Sequence, residues 1–225
     1  MDRSSTAVTR VRDLIAMLET MTSALVADGL DRLGFRDQTL DPGIRAVLPG
    51  ITLAGRAMPV DVVATDLVAD EPYAMEMRAI ESLAPGDVPV YAAPAGLRAA
   101  LFGELFGHAA RGLGGRGAIV DGYVRDTRAL AASGIPVFAR GASPLDTNGR
   151  AEVRSFGEPV VVGGVTVRAG DYVVGDDDGV VVAPSEVIEE LIASVQRKRR
   201  DEHGALTDLL AGDTVRDVWD RWRVF

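Results

Sequence analysis

Gly103-Glu104-Leu105-Phe106-Gly107-His108-Ala109-Ala110-Arg111, and after it Ala118-Ile119-Val120-Asp121-Gly122-Tyr123-Val124-Arg125-Asp126, is the stretch on which the reading of the fold turns. Glu104 to Arg111 suits a helix opened by a glycine, and Ala118-Ile119-Val120 is the short apolar run of a buried strand. Asp121-Gly122 then has the composition of a turn, Thr127 to Ala132 is again helical, and Val137-Phe138 is a further strand. Strands alternating with helices imply a partly parallel sheet. Twenty residues separate Glu104 from Arg125, room for one helix and one strand, so an acid and an Arg-Asp pair can meet at one end of that sheet. Ligands of parallel sheets gather beyond the carboxyl ends of the strands.

Toward the N-terminus, apolar residues at helical spacing (Val11, Leu14, Ile15, Leu18, then Leu25, Val26, Leu30, Leu33) predict helices between Val8 and Leu33. Thr22 or Ser23 is expected to cap the second, and Gly34 to end it. Ile51 to Ala64 reads as extended, Glu71 to Leu83 as helical, and Pro85-Gly86-Asp87 as a turn into the strand Val88 to Tyr91. Toward the C-terminus, Val160-Val161-Val162, Gly163-Gly164 and Val165-Thr166-Val167 predict a tight hairpin. Tyr172 to Val174 and Val180 to Val182 are strands joined through Asp176-Asp177-Asp178-Gly179. Ser185 is expected to cap a long charged helix, Glu186 to Leu210, and Asp213 or Thr214 a short last helix with Trp219 and Trp222. Without a low-complexity linker or internal repeat, residues 1–225 are expected to form one α/β domain with helices at both ends.

The 225 residues are 47% hydrophobic and 25% charged, the balance of a globular domain long enough to bury a full core. A net charge of −9 argues against sequence-independent binding to nucleic acid. The absence of cysteine excludes thiol nucleophiles, disulfides and Cys-based metal sites. Asp2, Arg3, Arg10, Arg12 and Asp13 stand where a signal peptide would be apolar, and no apolar stretch reaches membrane-spanning length. The expectation is a soluble cytoplasmic protein that binds neither nucleic acid nor membrane.

The first N–H groups of a helix lack internal partners and point at incoming anions, so Gly103 to Phe106 can seat a carboxylate, with Gly103 permitting close backbone approach. Glu104 at that position is also what the helix dipole favours in any helix. Arg125-Asp126 beyond a strand is either part of a site or a surface arginine beside the N-cap of the next helix. Lys198, the sole lysine, lies in the basic cluster Arg197-Lys198-Arg199-Arg200 of a helix expected to be solvated, which disfavours a Schiff base.

The run from Gly103-Glu104-Leu105 to Arg125-Asp126 resembles the RraA-like superfamily, and within it the class II pyruvate aldolases acting on 4-hydroxy-4-methyl-2-oxoglutarate and 4-carboxy-4-hydroxy-2-oxoadipate. Ser23 to Gly34, Leu83-Ala84-Pro85-Gly86-Asp87 and Gly170-Asp171 through Val180 extend the resemblance over most of the chain. It implies an RraA-like swivelling β/β/α fold, with a mixed sheet or partial barrel flanked by helices. It also implies a metal-dependent lyase releasing pyruvate from a small anionic 2-oxo acid, with oxaloacetate decarboxylation as a side activity, assembled as a homotrimer or hexamer. On this resemblance Asp126 ligates Mg²⁺ or Mn²⁺, and the backbone of Gly103, Glu104, Leu105 and Phe106 holds the substrate carboxylate. Arg125 binds near the carbonyl oxygen, and Glu104 moves protons through water. The aldolases commonly have Asp where this chain has Glu104, one methylene longer.

Other candidates weigh less. The substrate's far end would be read by residues such as Arg111, Arg128 or those near Tyr123. Glu202 holds about the position of an acid that related aldolases extend to a neighbouring subunit's metal, although a solvated helix surface is its plainer reading. His108 and His203 read as helix-surface residues, and Asp176-Asp177-Asp178-Gly179 lacks the ligand spacing of a calcium loop. The same resemblance carries two alternatives, a non-catalytic regulator that binds ribonuclease E and, because Glu104 departs from the commoner Asp, a lyase of the same family with a different 2-oxo acid substrate.

Overall fold

Twelve residues, mostly buried and including Val60, Val62 and Val63, form β2 (Leu53–Ala64), the strand around which the sheet is organised. The computed structural model describes the backbone of residues 3–225 and side chains from residue 8 onward. Ahead of β2 lie α1 (Arg3–Leu18), α2 (Ser23–Arg32) and β1 (Arg45–Ala46). After it come α3 (Ala74–Glu81), β3 (Asp87–Ala92), β4 (Ala100–Phe102), α4 (Glu104–Gly112), β5 (Ala118–Val124), α5 (Thr127–Ser133) and β6 (Val137–Ala142). The remainder is β7 (Ala151–Phe156), β8 (Val160–Val162), β9 (Val165–Val167), β10 (Tyr172–Asp176), β11 (Gly179–Ala183), α6 (Ile188–Leu210) and α7 (Val215–Trp222).

One edge of β2 pairs in parallel with β3; the other pairs first with β10 and then with β7, both antiparallel, with a bulge between Asp61 and Val62 inside the β7 pairing. Pro59 falls in the interval between those two partners, where a residue without an N–H is tolerated. The sheet runs β1-β6-β5-β3-β2-β10-β11, with β4 beside β5 and β7 beside β2. Residues 38–46 bridge its two ends: Leu40 N–H donates to the Val180 carbonyl, while Ala46 pairs with Phe138 of β6. That bridge makes the sheet a nearly closed barrel flanked by helices, the architecture that the resemblance implies.

Period-two alternation divides the side chains of β3 and β5 between two cores. Val88, Val90 and Ile119 point into the barrel with Phe138, Val173 and the hairpin valines, whereas Tyr91, Ala118 and Val120 face α3, α4 and α5. Phe138 fills the barrel because Gly175 lies opposite, where a β-carbon would come within 2.8 Å of the ring. A third core joins α1, α2 and α6 to β10 and β11. Gly29 lets α2 approach α6, since a β-carbon there would stand 2.6 Å from Leu191.

Several local expectations hold. Thr22 caps α2 by accepting from Leu25 N–H, Thr214 caps α7 from Asp217 N–H, and Gly34 adopts φ +89° after α2. The Gly163-Gly164 hairpin forms with both residues at positive φ.

Others are corrected. Asp121-Gly122 is not a turn: β5 runs on to Val124, and the pair makes a bulge in its register with β6. The Asp121 carboxylate, bound by Arg140 and by Gly163 N–H, holds that irregularity in place. The helix expected from Glu71 begins only at Ala74, because Pro72 and a left-handed Tyr73 precede it. Ser185 does not cap α6; it lies in a 3₁₀ turn, and its N–H donates to Asp171 at 3.2 Å. Lys198 is not solvated: it is 6% exposed and ion-pairs with Asp28 of α2 and with Glu202 at 2.9 Å. Burial lowers its pKa, but the two carboxylates outweigh that and hold the ammonium above its ordinary value. Lys198 therefore stays charged, which is the physical case against a Schiff base. Among the described residues no helix is long and apolar enough to cross a membrane.

Candidate active site

β4 and β5 run parallel and finish together, with Phe102 opposite Val124, and Arg125 N–H donates to the Phe102 carbonyl at 2.9 Å. Gly103 and the Arg125-Asp126 pair therefore leave the sheet side by side, one into α4 and the other into α5. The two sequence clusters do meet at one sheet end. Asp126 adopts φ 55°, ψ 33° and occupies the N-cap position of α5 without making a side-chain cap bond to it. Its Oδ2 accepts instead from Glu104 N–H at 3.3 Å, at the start of the neighbouring helix. A β-carbon at position 103 would stand 2.7 Å from that oxygen, so glycine is what admits the carboxylate here.

These residues border a cleft of about 290 Å³ whose walls also include Tyr73, Glu76, Phe106 and Asp146. The Arg125 Nη1 donates to Asp146 at 2.9 Å, and its Nε lies 3.8 Å from Asp126 Oδ2. The Tyr73 hydroxyl donates to the second oxygen of Asp146. Burial pushes the Asp146 carboxyl up, but the Tyr73 hydroxyl, Arg125 and the Thr147 and Asn148 N–H groups outweigh it and hold it below the usual range. Glu76 behaves oppositely. Burial, reinforced by the Asp146 charge and opposed by Arg125, pushes its carboxyl up to about 7. Tyr73 at φ 68° and Asp126 are two of the three non-glycine residues at positive φ among the described residues, and both line this cleft. Such strain concentrates at functional sites.

The other expected residues fall as follows. Glu104 contributes its backbone N–H beside the cleft, while its half-buried side chain is outside the lining residues. Phe106 lines the cleft, and so does Leu105, although it is 81% exposed. Arg111 donates to the Ser133 carbonyl at 2.7 Å and meets His108 at 3.3 Å, tying α4 to α5. Neither Arg111 nor the exposed Arg128 borders the cleft. Glu202 is engaged by Lys198, and His203 is exposed. Asp176 and Asp177 accept from the N–H groups of Ser23 and Gly50, a turn tied to its neighbours.

Sequence reasoning missed Asp146, Tyr73 and Glu76. Glu76 had a legible signal, because it shares one helical stripe with Ile80 and Leu83 and so is an acid on an apolar face. Asp146 sits in Ser143-Pro144-Leu145-Asp146-Thr147-Asn148-Gly149, whose turn composition marks a loop but no role.

Residues 23–182 match the RraA-like family, described as Aldolase/RraA. The chain belongs to that family. It is 30% identical over 190 residues to a protein of Halalkalibacterium halodurans named "Putative 4-hydroxy-4-methyl-2-oxoglutarate aldolase", a match spanning 84% of this chain and 85% of that one. A protein of the same name from Albidiferax ferrireducens is 39% identical over 103 residues, 46% of this chain and 59% of that protein. Among solved structures, an uncharacterized protein of Pseudomonas syringae superposes with a TM-score of 0.83 at 25% identity over 94% of both chains. A Streptomyces coelicolor protein, described as an unusual member of the RNase ES inhibitor RraA family, superposes with a TM-score of 0.75 at 27% identity, covering 85% of this chain and 95% of that one.

Among the described residues of this RraA-family chain, no group of three or more His, Asp or Glu side chains is placed to hold a cation. A hard divalent ion that keeps several waters needs less, one or two carboxylates plus substrate oxygens. Asp126 meets that requirement: its side chain is 45% exposed and borders the cleft, and among the described residues it is held only loosely, by Glu104 N–H at 3.3 Å and by Arg125 at 3.8 Å.

Proposed function

We propose that the chain is a divalent-metal-dependent lyase that cleaves 4-hydroxy-4-methyl-2-oxoglutarate, or a closely related 4-hydroxy-2-oxo acid, to pyruvate and a second oxoacid. The observation carrying this reading is the convergence of one guanidinium, one weakly engaged carboxylate and a helix N-terminus on a single cleft. Breaking the C3–C4 bond leaves an electron pair that spreads onto the C2 oxygen as an enolate, and fixed positive potential there lowers the barrier. Asp126 would hold Mg²⁺ or Mn²⁺, which supplies Lewis-acid stabilisation of that charge.

The protein's own groups do the rest. The N–H groups of Gly103 to Phe106, at the start of α4, seat the C1 carboxylate. Arg125 stands beside the carbonyl oxygen, its guanidinium braced by Asp146 and, through it, by Tyr73. Glu104, in the first turn of α4, orders water at the mouth of the cleft. Oxaloacetate would give the same enolate on losing CO₂. The aldolase names of the relatives support the reading, and on it the chain works in the cytoplasm as a trimer or hexamer.

Likeness to the Streptomyces coelicolor protein favours a second reading, a regulator that binds a ribonuclease E-type enzyme. One assay separates the two. Pyruvate release from 4-hydroxy-4-methyl-2-oxoglutarate and from oxaloacetate is followed by coupled NADH oxidation, with Mg²⁺ and with excess chelator. Release that the chelator abolishes supports the lyase. No metal-dependent pyruvate from either substrate removes it and leaves the regulator, read as inhibition of ribonuclease E cleavage.

A further inference from the structure

We propose that Glu76 carries the proton in this reaction, taking it from the substrate's C4 hydroxyl and returning it to C3 of the pyruvate enolate; the inference rests on the lyase reading. Glu76 is the third residue of α3, where a glutamate folds back to bond the capping residue's N–H when that residue is Ser or Thr. Here Tyr73 holds the cap position in a left-handed conformation, and Glu76 turns into the fold. Its side chain is 6% exposed and makes no hydrogen bond among the described residues, yet it lines the cleft with Arg125 and Asp126. A largely buried carboxyl whose oxygens reach the cleft without a protein partner costs stability and is open to a ligand.

Asp146 and Tyr73 face the group from the cleft's rim, Arg125 faces it from the end of β5, and the Tyr91 hydroxyl from β3. That hydroxyl is buried and has no hydrogen-bond partner among the described residues. Glu152 of β7 borders the adjoining hollow. In this setting the carboxyl titrates near neutrality, where one group both accepts and donates a proton readily.

The step balances. Glu76 as carboxylate takes the O4 proton, and the O–H pair becomes the C4=O π bond. The C3–C4 bond breaks, and its pair forms the C2–C3 double bond as the charge moves to O2. Glu76, now a carboxylic acid, gives the proton to C3; the enolate π pair makes the C3–H bond and the C2 carbonyl re-forms. No outside acid or base is consumed.

Pyruvate itself is the probe, because enolisation is the second half of the reaction run backwards. With Mg²⁺ in D₂O, exchange of the pyruvate methyl protons is followed by proton NMR for wild type, Glu76→Gln and Glu76→Asp. In parallel, carbon-13 NMR of glutamate-labelled protein without added metal reads the Glu76 titration directly, as the resonance missing from Glu76→Gln. Wild type is expected to exchange with a rate that rises with pH through a limb near 7. Glu76→Gln is expected to lose the limb and at least 100-fold in rate while unfolding cooperatively. Glu76→Asp, which keeps an ionisable group, is expected to retain a displaced limb. If Glu76→Gln exchanges within a few-fold of wild type with the same limb, or Glu76→Asp leaves the limb unmoved, Glu76 is not the proton carrier and the lyase reading survives. If wild type exchanges no pyruvate protons and releases no pyruvate, the lyase reading falls and takes this inference with it.

Discussion

Arg125 donates through Nη1 to one oxygen of Asp146 at 2.9 Å, while the other oxygen accepts from Tyr73. A guanidinium anchored on one side presents its remaining N–H groups in a fixed plane, which is what a planar carbonyl or carboxylate needs. Asp146→Asn keeps the shape and weakens the charge-assisted bond, so KM for the 2-oxo acid is expected to rise roughly tenfold with the fold retained. Arg125→Lys loses the fork altogether and should lower kcat/KM by about 100-fold. Steady-state kinetics on both variants decide it; an unchanged KM for Asp146→Asn would show that Asp146 does not orient Arg125.

Gly103 has an extended backbone, φ −155°, that any residue adopts, so its substitution tests space and not strain. The methyl of Gly103→Ala would press on Asp126 Oδ2 from 2.7 Å and on Arg125 Cγ from 3.0 Å. Either the carboxylate swings away or α4 shifts, at a cost of about 1–3 kcal/mol. Metal-dependent pyruvate release should fall by about 100-fold, with a cooperative thermal transition preserved. Full activity in Gly103→Ala would remove the cradle from the mechanism.

The alternation of helices and strands, the glycine hairpin and the meeting of Gly103 with Arg125-Asp126 were legible because they rest on local spacing. Closure of the barrel was not, because it depends on residues 38–46 reaching Val180 on one side and Phe138 on the other, a long-range pairing with no local signature. β1, β4 and β7 escaped for a related reason. Ala100-Leu101-Phe102 is three residues long, and Ala151–Phe156 carries charges on its exposed face, so neither stands out as a strand without the partner it pairs with. Lys198 was misread because four adjacent basic residues look solvated, whereas helical spacing sends this one alone, in register with Leu191 and Val195, against α2. The site was half legible: residues adjacent in sequence were found, and Asp146 and Glu76, brought in from other crossovers, were not.

Asp126 at φ 55° constrains how its role can be tested. Alanine is strained in the left-handed region, whereas asparagine is tolerated there, so Asp126→Asn separates charge from backbone. The variant should unfold at a denaturant midpoint close to wild type, since Asp126 makes no cap bond to α5. Mn²⁺ affinity measured by calorimetry should drop at least tenfold, and pyruvate release with it. Undiminished Mn²⁺ binding would move the cation away from Asp126.

The pH dependence of stability offers a test of Glu76 that needs neither substrate nor metal. Its carboxyl is pushed from an ordinary 4.5 up to about 7 in the fold, chiefly by burial. A carboxyl whose folded-state pKa is raised holds its proton longer in the folded state than in the unfolded chain. Stability is therefore fully present below about 4.5, declines as pH rises toward 7, and stays reduced above it. Over that window the loss amounts to about 3 kcal/mol. Glu76→Gln carries no ionisable group, so its urea-unfolding free energy relative to wild type should improve by about that amount between pH 4 and pH 8. Asp171, whose carboxyl is also raised by burial, is present in both proteins and cancels in the difference. A wild-type-to-variant difference that does not change with pH would show that Glu76 ionises as freely in the fold as outside it.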